Sequence, residues 1–215
     1  MDPLPFEVRF ELEGWKLFWA LLEVRGGEEG DLSAVAREVA AQVRREMQLE
    51  GLSAHPTVAA LRKLFKAAGT DPTRYRPSSE ALLRRLLKGE EMPVISPLVD
   101  LNNCLSARIA APCCVMREEA LSPPFLFRAG KPGESYESLR GPFNLEGKPL
   151  LVDAQGPCDA PITGGQRVKV TAETQRAWLV AYLPAGVDSP EEAERQLEAL
   201  LAAAPVANLL RTGFA

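Results

Sequence analysis

The stretch 69–103, GTDPTRYRPSSEALLRRLLKGEEMPVISPLVDLNN, decides the fold because it combines two helix starts with polar residues set among leucines. Ser78 or Ser79 can cap a short helix that Gly89 ends, and the leucines of this helix form one apolar face. The Ser96–Pro97 pair then supplies an N-cap and a first helical residue for a second helix. We therefore predict two amphipathic helices over this stretch.

The second helix carries polar residues whose positions follow from the helical repeat of about 100° per residue. Its apolar stripe should face the core and is formed by Leu98, Leu101, Leu105 and Ile109. Asn102 lies at the edge of this stripe, whereas Asp100 lies roughly opposite it and is expected to stay exposed. Because burying an amide costs free energy unless it is paired, Asn102 and Asn103 should either hold neighbouring loops or face a cleft.

Positive charge is concentrated between residues 57 and 88. This segment has eight cations against two anions, although the whole chain has a net charge of −4. A local basic zone on an acidic protein can bind phosphates, and solvated helix faces produce the same pattern. The cations are Arg62, Lys63, Lys66, Arg74, Arg76, Arg84, Arg85 and Lys88.

The order of the patterns along the chain predicts an α+β fold, with helices mainly in the N-terminal half and strands in the C-terminal half. FEVRFELE and WKLFWALLEV should form an N-terminal strand pair, followed by helices over 31–50, with Asp31 at the cap position, and 56–68. After Pro123 the runs FLFRAG, ESYESL, KPLLVDAQG, QRVKVT and AWLVAYLP are typical of strands. A last helix should begin at the capping box of Ser189 and end near Ala204.

Several classes of protein are excluded or disfavoured by the sequence. No apolar run reaches the ~20 residues that cross a bilayer, and the N-terminus has acids and prolines where a signal peptide is basic and then apolar. We therefore expect a cytoplasmic protein. The single histidine, His55, and four cysteines without a CxxC pair predict no zinc site and no disulfide framework. A Ser-His-Asp or Cys-His site would need His55, which is typical of a helix start, and no nucleophile-elbow, Walker or Rossmann glycine motif is present. We expect no cofactor.

Three further features leave alternatives open. The doublet Gly164–Gly165 is either a tight turn between strands or a wall that a ligand can approach because no Cβ intervenes. Asp153 at the end of an apolar strand either stabilises an Asx turn or contacts an amino group. Cys113 and Cys114 are either buried thiols or a redox pair.

Read in order, the 69–103 stretch, FLFRAGKPGESYESLRG, GKPLLVDAQG and RVKVTAETQRAWLVAY resemble the B3/B4 domain. This domain occurs in the beta subunit of bacterial phenylalanyl-tRNA synthetase and in free-standing bacterial proteins, and the free-standing version fits better. The resemblance covers about residues 57–187. It implies an α+β fold with mixed sheets and helices around a central cleft. In the synthetase this cleft hydrolyses tyrosine that has been wrongly esterified to the tRNA for phenylalanine.

Carried over by residue, the resemblance places Asn102 and Asn103 where the synthetase has a Thr-Asn pair in its editing pocket, and the Gly164–Gly165 doublet at its Gly-Gly turn. Cys114 falls where the synthetase has a pocket histidine, and Arg167 where it has a glutamate thought to contact the tyrosine hydroxyl. These two departures remove the known recognition of tyrosine.

From the resemblance we expect a single domain over residues 1–215: an extension over 1–56, a core over 57–187, and a C-terminal helix and tail over 188–215. The expected catalytic residues are Asn102, Asn103, Gly164 and Gly165, and the expected substrate-binding residues are Cys114, Asp153, Thr163 and Arg167. RNA phosphates are expected to contact Arg74, Arg76, Arg84, Arg85 and Lys88. The expected partner is the aminoacylated 3′ end of tRNA, with neither a membrane nor a metal ion involved.

Three functions remain open at this point. The first is a free-standing deacylase that hydrolyses mischarged aminoacyl-tRNA with an oriented water molecule. The second is a non-catalytic module that binds RNA or tRNA. The third is a binder of amino-acid-like small molecules that uses the pocket without RNA. The sequence leaves the amino acid, the tRNA and the oligomeric state open.

Overall fold

The computed structural model describes residues 6–25 and 32–215, which form the predicted α+β fold. The helices are α1 (Ser33–Glu46), α2 (Pro56–Ala68), α3 (Ser78–Leu87), α4 (Pro97–Ile109) and α5 (Pro190–Ala203). The strands are β1 (Val8–Phe10), β2 (Trp15–Val24), β3 (Cys113–Arg117), β4 (Phe125–Ala129), β5 (Ser135–Ser138), β6 (Gly141–Asn144), β7 (Pro149–Asp153), β8 (Gly156–Ala160), β9 (Thr163–Gly164), β10 (Arg176–Pro184) and β11 (Ala207–Phe214).

The described strands form two larger sheets and a hairpin. One sheet is antiparallel with the order β11-β2-β10-β3. The other has the order β1-β4-β7-β8-β9, in which β1 runs parallel to β4 and the remaining neighbours are antiparallel. Strands β5 and β6 form the separate hairpin.

The four-stranded sheet is buried on both faces, which explains the nearly continuous apolar runs of β2 and β10. Alternate residues of β2, such as Phe18 and Ala20, belong to the core cluster that also holds residues of α1, α4 and α5. The residues between them, such as Leu17 and Trp19, belong to a second cluster with α2 and the five-stranded sheet. The sheet therefore separates a helical layer from a mixed layer.

Most predicted helix ends are confirmed because local capping signals determine them. Gly69 adopts φ 101° at the end of α2, a left-handed conformation that glycine accepts without strain. Ser189 caps α5 by accepting a hydrogen bond from the Glu192 N–H. Pro97 is the first residue of α4 after Ser96, as predicted. Asp31, the predicted cap of the first helix, lies outside the described residues.

Four expectations about local structure are wrong. Strands β1 and β2 do not pair with each other, because β1 pairs with β4 and β2 lies between β10 and β11. QRVKVT is not a strand, since Gln166–Val168 forms a 3₁₀ turn. Helix α3 begins at Ser78 with Pro77 at the cap position, so neither serine is the cap. Asp100 is buried, and its carboxylate accepts a hydrogen bond from the Ile95 N–H at 2.8 Å.

None of the described helices combines the length and the apolar character needed to cross a membrane. In the same part of the chain, no group of three or more histidine, cysteine, aspartate or glutamate side chains is arranged to hold a metal ion. All four cysteines are free thiols.

Candidate functional site

The two glycines of the doublet occupy different environments. A Cβ on Gly165 would lie 2.4 Å from the carbonyl oxygen of Cys158, so close backbone packing requires glycine there. A Cβ on Gly164 would lie 3.3 Å from Leu139 Cδ1, 3.5 Å from Asp159 Oδ1 and 3.7 Å from Cys114 Sγ. Gly165 therefore serves packing, whereas a methyl group on Gly164 would fit only in tight contact with Leu139, beside a carboxylate and a thiol.

Asp159 is the most unusual polar residue at this place. It pairs with Gly164 across β8 and β9, and no part of it is exposed to solvent. Its Oδ2 accepts a hydrogen bond from the Tyr182 hydroxyl at 2.5 Å, whereas its Oδ1 has no N–H or O–H donor and only the weakly donating Cys114 thiol beside it. Burial raises the pKa of this carboxyl from an ordinary 3.8 to about 6, although the Tyr182 bond acts in the opposite direction.

The side chains around Asp159 keep their protons at neutral pH. Burial, followed by the charge of Asp159, raises the pKa of Cys114, Tyr136 and Cys158 above their ordinary values. The same causes raise the pKa of Tyr182. Since a thiolate is the reactive form of cysteine, Cys114 is poorly suited to act as a nucleophile. This arrangement favours polar recognition, or chemistry performed by water, over a covalent intermediate on sulfur.

The β5–β6 hairpin contacts both residues of β9, Thr163 and Gly164. The Tyr136 hydroxyl donates a hydrogen bond to the Thr163 carbonyl oxygen, and the Leu139 N–H donates one to the Gly164 carbonyl oxygen at 3.0 Å. These two bonds attach the β5–β6 hairpin to the glycine turn, which comprises residues 161–165. Leu139, at the tip of this hairpin, is 51% exposed although it is a large apolar residue.

Asn102 and Asn103 lie on α4, which packs against both α3 and β3. Asn102 is only 8% exposed, and its Oδ1 is buried without a hydrogen-bond partner, whereas Asn103 is partly buried. One turn later the Ser106 hydroxyl donates to the Ala111 carbonyl at 2.8 Å. The unpaired Asn102 oxygen agrees with a polar boundary position. That it faces the same space as Gly164 stays a prediction.

Asp153 and Arg167 form a salt bridge with each other. Arg167 Nη2 lies 2.8 Å from Asp153 Oδ1, and Asp153 also accepts hydrogen bonds from the N–H groups of Ser122 and Gln155. The bond from Gln155, two residues on, is the Asx-turn alternative for Asp153. Arg167 Nη1 donates to the Ala120 carbonyl at 2.7 Å. Both side chains therefore hold loops in place, and we assign neither of them to ligand binding.

The basic zone is organised around a buried carboxylate, Glu80, which is fully buried at the start of α3. Arg62 donates two hydrogen bonds to it, at 2.9 and 3.1 Å, and Arg84 donates one at 3.0 Å. Arg76 Nε lies 3.9 Å from the same carboxylate. Because three guanidinium groups share one carboxylate, the cluster keeps a positive charge at the surface.

The remaining predicted phosphate-binding residues are held less tightly. Arg85 pairs with Glu90 at 2.8 Å, and both side chains are about half exposed. The Arg74 guanidinium carbon lies 5.1 Å from the centre of the Tyr75 ring, and Lys88 is exposed. These three cations are available to a large anionic partner.

The basic zone and the glycine turn are directly connected. The Ser78 N–H at the start of α3 donates a hydrogen bond to the Pro161 carbonyl at 2.9 Å, and Pro161 lies in the turn between Asp159 and Gly164. The cationic surface of α3 therefore begins beside the turn that follows the buried Asp159.

Sequence reasoning missed Asp159, Tyr182 and Glu80. The available signal was weak: Asp159 stands in a strand, where aspartate is unfavourable, within the short run PCDAP. Glu80 showed only as one of two anions among eight cations. Tyr182 lies 23 residues from Asp159 and Arg62 lies 18 residues from Glu80, whereas Arg76 and Arg84 are within four residues of Glu80.

Together, these features define an α+β domain with a buried acidic site beside a cationic helix. Residues 60–196 match the model of the B3/4 domain, and the chain belongs to this family. No curated protein sequence matches the chain. One similar solved structure is an N-terminal fragment of the phenylalanyl-tRNA synthetase beta subunit from Pyrococcus horikoshii, with 13% identity and a TM-score of 0.48. The similarity covers 99% of this chain and 51% of that one, so the chain spans about half of that fragment.

Proposed function

We propose that the protein binds the aminoacylated 3′ end of a tRNA and hydrolyses the ester of a mischarged aminoacyl group. Membership of the B3/4 family supports a role related to tRNA. The observation that carries the proposal is the hydrogen bond between Ser78 and Pro161, which joins the cationic helix to the glycine turn. A tRNA end whose phosphates lie along α3 would bring its terminal ester to Gly164.

In the proposed reaction a water molecule attacks the ester carbonyl. The tetrahedral oxyanion collapses as the carbon–oxygen bond to the ribose breaks, the leaving ribose oxygen takes up the proton that the attacking water gives up, and a free amino acid and a tRNA hydroxyl are released. The donors proposed for the oxyanion are the amides of Asn102 and Asn103 and the backbone N–H groups of Gly164 and Gly165. A route through water is also supported by the high pKa of the Cys114 thiol, which disfavours a thioester intermediate.

A panel of mischarged tRNAs tests the reaction. The purified protein should release the amino acid from at least one of them faster than buffer does, and the free amino acid is measured by radioactivity or mass spectrometry. If no tRNA in the panel loses its amino acid above the buffer rate, the hydrolytic function is wrong. Salt-sensitive tRNA binding without hydrolysis would instead favour the non-catalytic RNA-binding module.

Charge reversal tests the cationic surface. Arg84 is unsuitable because a glutamate there would face the buried Glu80, so the variants are Arg85→Glu and Lys88→Glu. Each should weaken tRNA binding and reduce the slope of log affinity against log salt by about 0.7–0.9 for each lost phosphate contact. Arg45→Glu is the matched control, because Arg45 is exposed on α1 and pairs with Glu38. Equal affinity of all three variants would exclude this surface.

A further inference from the structure

The carboxylate of Asp159 is a buried charge without a cationic partner. The groups that stabilise its ionised form are neutral: the Tyr182 hydroxyl, the Cys114 thiol and the Ala160 N–H. Among the residues that the structure describes, no salt bridge involves Asp159, and its Oδ1 has no N–H or O–H donor. An uncompensated buried charge is costly, and a cation that reached Oδ1 would offset that cost.

The side of Asp159 from which a ligand can come is also defined. Gly164 presents no Cβ, and the place where one would stand is 3.5 Å from Oδ1. Above this place lies the exposed side chain of Leu139, at the tip of a two-stranded hairpin. An apolar side chain at a hairpin tip can be displaced by a ligand far more easily than the buried side chains below it.

We propose that Asp159 Oδ1 binds the free α-ammonium group of the aminoacyl ligand and so makes the site selective for amino acids with an unblocked amino group. The inference rests on the proposed function only in taking an aminoacyl group as the ligand. The geometry fits a charge-assisted hydrogen bond: one carboxylate oxygen accepts from Tyr182, and the other is buried without an N–H or O–H donor, 3.5 Å from the position of a Gly164 Cβ.

Binding of L-amino-acid amides tests the assignment without tRNA. These probes keep the ammonium group and lack the carboxylate, as an aminoacyl ester does, and their N-acetyl derivatives lack the ammonium charge. By calorimetry at pH 7, at least one amide should bind, and its N-acetyl derivative should bind about 10- to 100-fold more weakly. If no amide binds, or if N-acetylation leaves the affinity unchanged, the assignment is wrong.

The pH dependence supplies a second measurement that needs no variant. Cys114, Tyr136, Cys158 and Tyr182 keep their protons between pH 5 and pH 7, because the pKa of each is raised. Asp159 alone among these neighbours titrates in that range. Affinity for the amide should therefore be about tenfold lower at pH 5 than at pH 7. An affinity that does not change over this range contradicts the assignment.

Asp159→Asn keeps the shape of the side chain and removes its charge. This variant should bind the amide and its N-acetyl derivative with equal, weak affinity at every pH. Asp188→Asn is the matched control, because Asp188 also has a raised pKa but accepts its hydrogen bond from Thr57 on α2. The control should keep the preference for the unblocked amide. A preference that survives in Asp159→Asn overturns the assignment.

The amide experiment and the tRNA experiment fail independently. Charge-selective amide binding that depends on Asp159, combined with no hydrolysis of any mischarged tRNA, leaves the ammonium assignment in place and removes the hydrolytic function. Hydrolysis by a protein that binds blocked and unblocked amides equally would support the hydrolytic function and refute the ammonium assignment. Binding of lysine amide alone, whether or not its α-amino group is acetylated, would assign Oδ1 to a side-chain amine and refute the proposal.

Discussion

Asp159→Asn should change the stability of the protein in a way that depends on pH. The pKa of Asp159 is about 6 in the folded protein, against an ordinary value of 3.8. This difference corresponds to about 3 kcal/mol, by which the ionised carboxylate lowers the free energy of unfolding well above pH 6. The asparagine variant does not have this penalty, although its buried amide N–H₂ group costs about 1–3 kcal/mol if it stays unpaired.

Whether stability rises or falls with pH depends on whether the folded or the unfolded chain binds the proton of Asp159 more tightly. Below pH 3.8 Asp159 is protonated in both the folded and the unfolded chain, so it contributes no pH dependence. Between pH 3.8 and pH 6 the folded protein keeps the proton that the unfolded chain releases. Stability therefore falls as pH rises through this window and is constant above it. The penalty is about 1 kcal/mol at pH 4.5 and about 3 kcal/mol at pH 7.5.

Denaturant unfolding of the wild type and of Asp159→Asn between pH 4.5 and pH 7.5 measures this effect. The stability of the variant relative to wild type should increase by about 2 kcal/mol across the range, whatever its absolute value. Asp71→Asn is the control without a slope, because hydrogen bonds from Thr73 lower the pKa of Asp71 and its titration therefore lies below this pH range. A difference between wild type and Asp159→Asn that is flat, or that falls with pH, refutes the reasoning about the buried carboxylate.

Three further predictions concern substitutions at positions 164, 165 and 167. Gly165→Ala should destabilise the protein by about 1–3 kcal/mol in denaturant unfolding, because its Cβ would overlap a backbone oxygen. Gly164→Ala should leave stability nearly unchanged, since Leu139 can move, but should abolish amide binding in calorimetry; equal stability losses at both glycines would contradict this. Arg167→Ala should cost about 3 kcal/mol, the lower end for a broken buried pair because Arg167 is 30% exposed. An unfolding midpoint equal to that of the wild type would show that Asp153 does not depend on Arg167.

The helices were predictable because each depends on residues close in sequence. Gly69 and the Ser189–Pro190 pair mark helix ends through their own backbone preferences. The strand pairings were not predictable in the same way. FEVRFELE and WKLFWALLEV are adjacent in the chain, and adjacency favoured a hairpin, but tertiary packing places them in different sheets.

The sequence predicted residues of the candidate site only where they belong to a motif shared with the family. The resemblance located Cys114 and Gly164, which the structure brings together with Asp159. It did not locate Asp159 itself, because a lone aspartate in a short strand shows neither its burial nor its partners. Tyr182, which holds its carboxylate, lies 23 residues away.

Asp153 and Asp159 show why the second is assigned a function and the first is not. Both are buried aspartates of the same sheet, on the adjacent strands β7 and β8. Asp153 has a guanidinium partner and two backbone N–H donors, which compensate its burial within the folded chain. Asp159 has only neutral partners, the Tyr182 hydroxyl, the Cys114 thiol and the Ala160 N–H, and its Oδ1 is buried without an N–H or O–H donor. A fold gains no stability from such a residue, since an apolar side chain of similar size would be cheaper to bury. The missing partner of Asp159 is therefore best sought in the ligand.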